Sequence, residues 1–258
     1  MMHSAAHVQP QPVVLEVVNV SKGFNGFKAI SDVGFALRPG TITAVIGPNG
    51  AGKSTLFNLI TGHYLPDHGD ILFNGATVTA LPPHRLCRLG MGRSFQRANV
   101  FPKLTVFENV QAALIAHRGD GRKVFLPSRS FWRVETDNIL SSIGLSDRAG
   151  ILAGALSYGD QKQLELGIAL AVNPSLLLLD EPTAGMSVKE TRESVALIAQ
   201  IVRARGITLL FTEHDMETVF SIAQRIIVLH QGEVIADGPP LEIRSDPNVR
   251  RVYLGEKV

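Results

Sequence analysis

One cysteine, Cys87, in 258 residues excludes an intramolecular disulfide framework and fits a reducing compartment. Charge of one sign is also scarce: 25 basic against 23 acidic side chains leave +2, less than a chain that coats nucleic acid carries. Long apolar runs are missing. The most apolar stretch, 166–179, is broken by Asn173 and Pro174, and each half is too short to cross a bilayer. The amino terminus lacks the basic start and apolar core of a secretory signal, so residues 1–12, rich in Pro and Gln, read as a frayed tail. A soluble, cytoplasmic chain without repeats or low-complexity tracts is the expectation. What is present is hydrophobic content of 45% with 19% charged, enough for a large buried core and too apolar for wholesale disorder.

Strand-like runs with β-branched residues fall at 13–20, 30–37, 41–46, 71–73, 176–180, 207–212, 226–229 and 234–236. The runs LLLLD and ITLLFT do not alternate polar with apolar, which predicts strands buried on both faces of a parallel sheet covered by helices. Helical patterns lie between them. Thr105 with Glu108, and Ser187 with Glu190, have the spacing of capping boxes, and Gly206 is a helix stop. Residues 85–133 hold ten Lys/Arg and two acidic residues, a local +8 that leaves −6 elsewhere. Residues 90–165 read as a mainly helical subdomain inserted into an α/β core.

The strongest chemical signal is GPNGAGKS at 47–54, between a strand and the helical TLFNLI. Here Gly47, Pro48, Asn49, Gly50, Ala51 and Gly52 can wrap backbone N–H groups around phosphate oxygens, and the next helix adds its positive end. Lys53 then neutralises β- and γ-phosphates and Ser54 ligates Mg²⁺. At the end of LLLLDEP, Asp180 suits the magnesium shell and Glu181 can polarise a water for in-line attack. LSYGDQ at 156–161 opens another helix with a Ser and a Gly, either an ordinary cap or an anion-binding end.

In this order the three motifs resemble those of the ATP-binding subunit of ABC transporters, over residues 13–256 as a single ATPase domain. The resemblance implies a P-loop NTPase core with a mixed sheet, an antiparallel β subdomain and an inserted α-helical subdomain. It makes 47–54 the Walker A motif, with Thr55 beside it on the nucleotide, 176–181 Walker B, and 156–160 the signature. Tyr158 and Asp160 depart from the usual LSGGQ, whereas Ser157 and Gly159, which reach ATP held by a second subunit in that family, are kept. It further implies Gln96 as a Mg²⁺-sensing glutamine, residues 184–187 as a D-loop lacking its frequent Asp, and His214 as the γ-phosphate switch. Phe24 takes the place of an adenine-stacking aromatic, a core phenylalanine being the competing reading.

The implied cofactors are ATP and Mg²⁺. The implied partners are a second copy or a paralogous ATPase, separate transmembrane permeases and, indirectly, a solute-binding protein, with the chain peripheral on the cytoplasmic face and no nucleic acid bound. The basic excess is either the permease-docking face or merely a solvated one. Stretches such as GRSFQRANVFPKLTVFENV, the loop near 118–133, DEPTAGMS and Tyr253 to Glu256 resemble the ATPases of branched-chain amino acid importers. Urea or short-amide importers and lipopolysaccharide-export ATPases share parts of the pattern, and a soluble ABC ATPase is the rival class. With about 20 residues after Ala236, no appended regulatory domain is expected.

Overall fold

The computed structural model describes residues 12–94, 99–118 and 132–254. Residues 1–11 of the tail expected at 1–12, Gln96, most of the 118–133 loop and residues 255–258 lie outside the described residues. Two sheets organise the chain. β1 (Leu15–Phe24), β2 (Phe27–Leu37), β4 (His68–Phe73) and β5 (Ala76–Thr77) form an antiparallel sheet in the order β2-β1-β4-β5. The second sheet runs β10-β9-β3-β8-β7-β6, from β3 (Ile42–Ile46), β6 (Met91–Arg93), β7 (Leu176–Asp180), β8 (Thr208–Thr212), β9 (Arg225–His230) and β10 (Glu233–Gly238). All its pairs are parallel except β10 with β9.

Each strand expected from the sequence is present, and β5 and β6 are additional. β5 has two residues, too few for a periodicity to register, yet Asn74 (φ 50°) and Gly75 (φ 78°) form the positive-φ turn of a tight hairpin. The same device, Asn25 and Gly26, joins β1 to β2 and carries β1 past its expected end to Phe24.

The non-alternating strands are apolar because the second sheet is covered on both sides. From β7, Leu177 and Leu179 join one core with Ile42, Phe211 and Val228, while Leu176 and Leu178 join the other with Val45, Leu210 and Leu229. The first core is closed by α3 (Val106–Arg118), α4 (Arg133–Ser142), α5 (Tyr158–Leu170), α6 (Val188–Arg205) and α7 (Met216–Ile222). The second is closed by the antiparallel sheet and by α1 (Lys53–Ile60), whose Leu56 and Phe57 are fully buried. Near the second core runs α2 (Pro83–Arg88), and the carboxyl end carries α8 (Pro240–Ser245) and α9 (Pro247–Leu254).

Helix ends obey local chemistry. Ser187 and Glu190 form the reciprocal capping box of α6, and Gly206 ends that helix in the left-handed conformation (φ 64°). Thr105 and Glu108 exchange the same pair of bonds at the start of α3. α5 stops at Leu170, before Asn173 and Pro174. Consequently the loops after β3, β7 and β8 all emerge at the carboxyl ends of adjacent parallel strands, where open α/β sheets place their ligands.

Candidate functional site

The loop after β3 is shaped by what its glycines avoid. A Cβ on Gly47 would stand 2.2 Å from the Leu229 carbonyl oxygen, and one on Gly52 would stand 2.6 Å from that of Ala29. Gly52 also holds φ 105°, and no side chain caps the helix start that follows. The first turn of α1 therefore has no side-chain acceptor from its cap for its N–H groups. Lys53, 6% exposed, folds back so that Nζ donates to the carbonyls of Gly47 (2.6 Å) and Pro48 (3.1 Å). Burial pulls its pKa down, and the nearby Glu181 and Asp180 carboxylates oppose that. Ser54 is exposed. Residues 49–55, Phe24, Phe27, Ala29 and Glu181 enclose a cavity of about 430 Å³.

The acidic pair reaches the same place from β7. Asp180, 5% exposed, accepts a 2.7 Å hydrogen bond from Thr212 Oγ1, its partner across the β7–β8 ladder. The same hydroxyl accepts from the Glu181 N–H at 3.0 Å, and the Thr212 carbonyl accepts it at 3.2 Å. These bonds hold Glu181 at φ 50°, a left-handed backbone unusual for a glutamate, at the point where the chain leaves the sheet. Glu181 Oε1 shares a 2.7 Å hydrogen bond with His214 Nε2. Arg93, at the end of β6, places Nη2 4.0 Å from Asp180 Oδ2 and donates from Nη1 to Thr61 at the end of α1. Desolvation lowers the pKa of its mostly buried guanidinium, and Asp180 opposes the shift.

Phe24 is 39% exposed at the cavity mouth, where its ring meets that of Tyr64 edge-on at 5.3 Å between centroids. Exposure on this scale removes the core-phenylalanine reading. Lys22 Nζ lies 5.6 Å from the Phe24 centroid, a cation–π contact on the same ring.

The Ser157 segment is built elsewhere. Ser157 caps α5 by accepting from the Asp160 N–H and donates its own hydroxyl to Asp160 Oδ2 at 2.6 Å. Asp160 also pairs with Arg148. The Tyr158 ring packs 3.3 Å from where a Cβ on Gly185 would stand, and the Gly159 equivalent lies 3.5 Å from Glu190 Oε1. So Tyr158 and Gly159 sit against Gly185 and Glu190, and neither Ser157 nor Gly159 lines the cavity holding Lys53, whereas Phe24, residues 49–55 and Glu181 do.

Sequence reasoning missed the residues that tie the loops together: Thr212, Arg93, Thr183 and Glu213. Their roles depend on the β6-β7-β8 register, which joins residues 32 positions apart between β7 and β8 and 85 apart between β6 and β7. The signal available for Glu213 was a charged residue directly behind the apolar run of β8.

The chain matches the family model described as ABC transporter over residues 30–184, and the branched-chain amino acid ATP-binding cassette transporter model over residues 233–258. It is 40% identical over 253 residues to the high-affinity branched-chain amino acid transport ATP-binding protein LivG of Escherichia coli (strain K12), covering 95% of this chain and 99% of that one. It is 38% identical to BraF of Pseudomonas aeruginosa, a protein of the same description, covering 94% and 98%. The solved ADP conformation of an ATP-binding cassette of an ABC transporter superposes with a TM-score of 0.84 at 32% identity, covering 95% and 99% of the two chains. A phosphate-shaped loop, an acidic pair and a histidine at adjacent strand ends, with these matches along nearly the whole sequence, show that the chain belongs to the ABC transporter family as an ATP-binding cassette.

Proposed function

We propose that this cassette binds and hydrolyses ATP to power uptake of branched-chain amino acids through separate permease subunits. The observation that carries the reading is the convergence of Lys53, the residue 49–55 loop and Glu181 on one cavity. Its likeness to LivG and BraF supports the solute class.

On this reading Phe24 stacks on the adenine and residues 47–55 hold the phosphates, with Lys53 neutralising the β- and γ-groups. Lys53 must leave the Gly47 and Pro48 carbonyls to do so, exchanging neutral acceptors for anionic ones. The donor set fits Mg²⁺: the exposed Ser54 hydroxyl in the first turn of α1 and the Asp180 carboxylate at the end of β7 would supply oxygen ligands, with Gln96 assigned to the same ion by resemblance. When bound, Mg²⁺ would neutralise charge developing on the phosphates. Glu181 orients and deprotonates the attacking water, and His214, hydrogen-bonded to Glu181, contacts the γ-phosphate.

Ser157 and Gly159 complete the site from a second subunit, a copy or a paralogue. Bound ATP thus holds two cassettes together, and cleavage releases them. Among the described residues no helix is long and apolar enough to cross a membrane. On this reading the work is passed to separate permeases from the cytoplasmic face. The helices around α3 to α5, with the basic residues of 85–133, are the docking side in this proposal; Arg122, Lys123 and Arg129 lie outside the described residues.

The test is reconstitution. Reconstituted with permease subunits and a binding protein of a branched-chain amino acid importer, the cassette should show ATP turnover that rises when the binding protein carries leucine. Turnover that responds to urea, a short amide or lipopolysaccharide instead, or a chain that joins no permease, would overturn the assignment.

A further inference from the structure

Glu213 is a buried carboxylate to which the chemistry above gives no task. It is 4% exposed and follows directly on β8. Its Oε1 accepts from the Thr183 backbone N–H at 3.0 Å and the Thr183 hydroxyl at 2.7 Å, and its Oε2 accepts from the His214 N–H at 3.3 Å. Burial pushes its pKa up, with Glu181 adding to the rise, while the three hydrogen bonds pull the other way. A carboxyl group in such a place is costly unless its oxygens are satisfied, and here three donors satisfy them.

Those donors belong to two loops. Thr183 lies two residues beyond Glu181 on the turn leaving β7, and its carbonyl accepts from Met186 as the chain heads for the Ser187 cap. His214 lies on the turn leaving β8. The loops meet twice, once through His214 and Glu181 side chains and once through Glu213. We propose that Glu213 is a positioning residue for hydrolysis, clamping the His214 backbone against the Thr183 turn so that the imidazole stays within reach of Glu181 and the γ-phosphate. The proposal rests on the ATPase reading above, because it acts through His214. If Glu213 were only a buried anchor, its loss would lower stability without depending on His214.

The experiment is a double-mutant cycle on steady-state ATP hydrolysis by the full chain. Glu213→Ala should lower kcat about tenfold with KM within about twofold, a split that marks lost alignment and not lost binding. Glu213→Gln keeps an oxygen for Thr183 and should stay within about threefold of wild type, as should Thr183→Val, which removes one of three donors. In a His214→Ala background, Glu213→Ala should change kcat by less than about twofold, since the group it positions is gone. A normal kcat for Glu213→Ala, or an equal loss with and without His214, overturns the proposal while leaving the ATPase reading intact. Should Glu213→Ala fail to fold, the double variant Glu213→Gln/Thr183→Val, which loses two of the three bonds, should lower kcat about tenfold only when His214 is present, and an equal loss in both backgrounds overturns the proposal. A folded wild type without ATP turnover, alone or with its permeases, overturns both.

Discussion

Thr212 is the best place to perturb the acidic pair without touching it. Its side chain is fully buried, donates to Asp180 Oδ1 at 2.7 Å and accepts from the Glu181 N–H at 3.0 Å. Thr212→Val keeps the volume and the β-branched rotamer while removing both bonds. A hydrogen bond to a charged acceptor contributes about 1.5–3 kcal/mol and a neutral one about 1 kcal/mol, so the loss is of order 3 kcal/mol. At about 2–4 °C per kcal/mol for a chain of this size, Tm should fall by roughly 6–12 °C. The Glu181 N–H would keep only the Thr212 carbonyl, at 3.2 Å, to hold a left-handed glutamate. Turnover should therefore drop about tenfold or more while ATP affinity changes little. Calorimetry and steady-state ATPase assays read the two effects. A Tm within about 1 °C of wild type together with unchanged kcat would refute the claim that this hydroxyl organises the acidic pair.

Other perturbations separate the remaining parts. Lys53→Ala removes the cation facing the loop carbonyls and should weaken ATP binding about 100-fold in a fluorescent-nucleotide titration, the scale of one charge-assisted contact to phosphate. Arg148→Ala leaves the Asp160 carboxylate uncompensated beside Ser157, so ATP-driven pairing should weaken about tenfold, and adding Asp160→Gln should restore it. Asp215→Ala removes the cap that accepts from Glu217 and Thr218 at the start of α7 and should cost about 1 kcal/mol. The Thr218 side-chain bond, above all, holds the Asp215 pKa below its usual value. The stabilisation is thus present above the unfolded carboxyl pKa and lost as pH falls through the lower folded one, so wild type and Asp215→Ala should converge in acid melts.

Much of this arrangement could be read from the residues because the relevant signals are local. GPNGAGKS sits between a strand and a helix, and each of its special backbone conformations is announced by glycine. LLLLD and TLLFT read as doubly buried strands because neither face is polar, and alternate leucines do enter the two cores. What could not be read depends on register. Thr212 matters because it lies opposite Asp180, and Arg93 because β6 runs beside β7; neither position carries a local mark. Glu181 adopts positive φ for the same reason, since bonds from β8 hold it there. The setting of Phe24 likewise depends on the β1–β2 turn beside it and on the ring of Tyr64, which lies 40 residues later in the chain.

The central claim is that Glu181 drives hydrolysis of a nucleotide shared by two subunits. Glu181→Gln preserves the side-chain shape and removes the base, so the variant should bind ATP, cease turnover and persist as a dimer in light scattering with ATP present. Wild-type hydrolysis by that variant, or a strictly monomeric species at saturating ATP with or without the paralogous subunit, would contradict it.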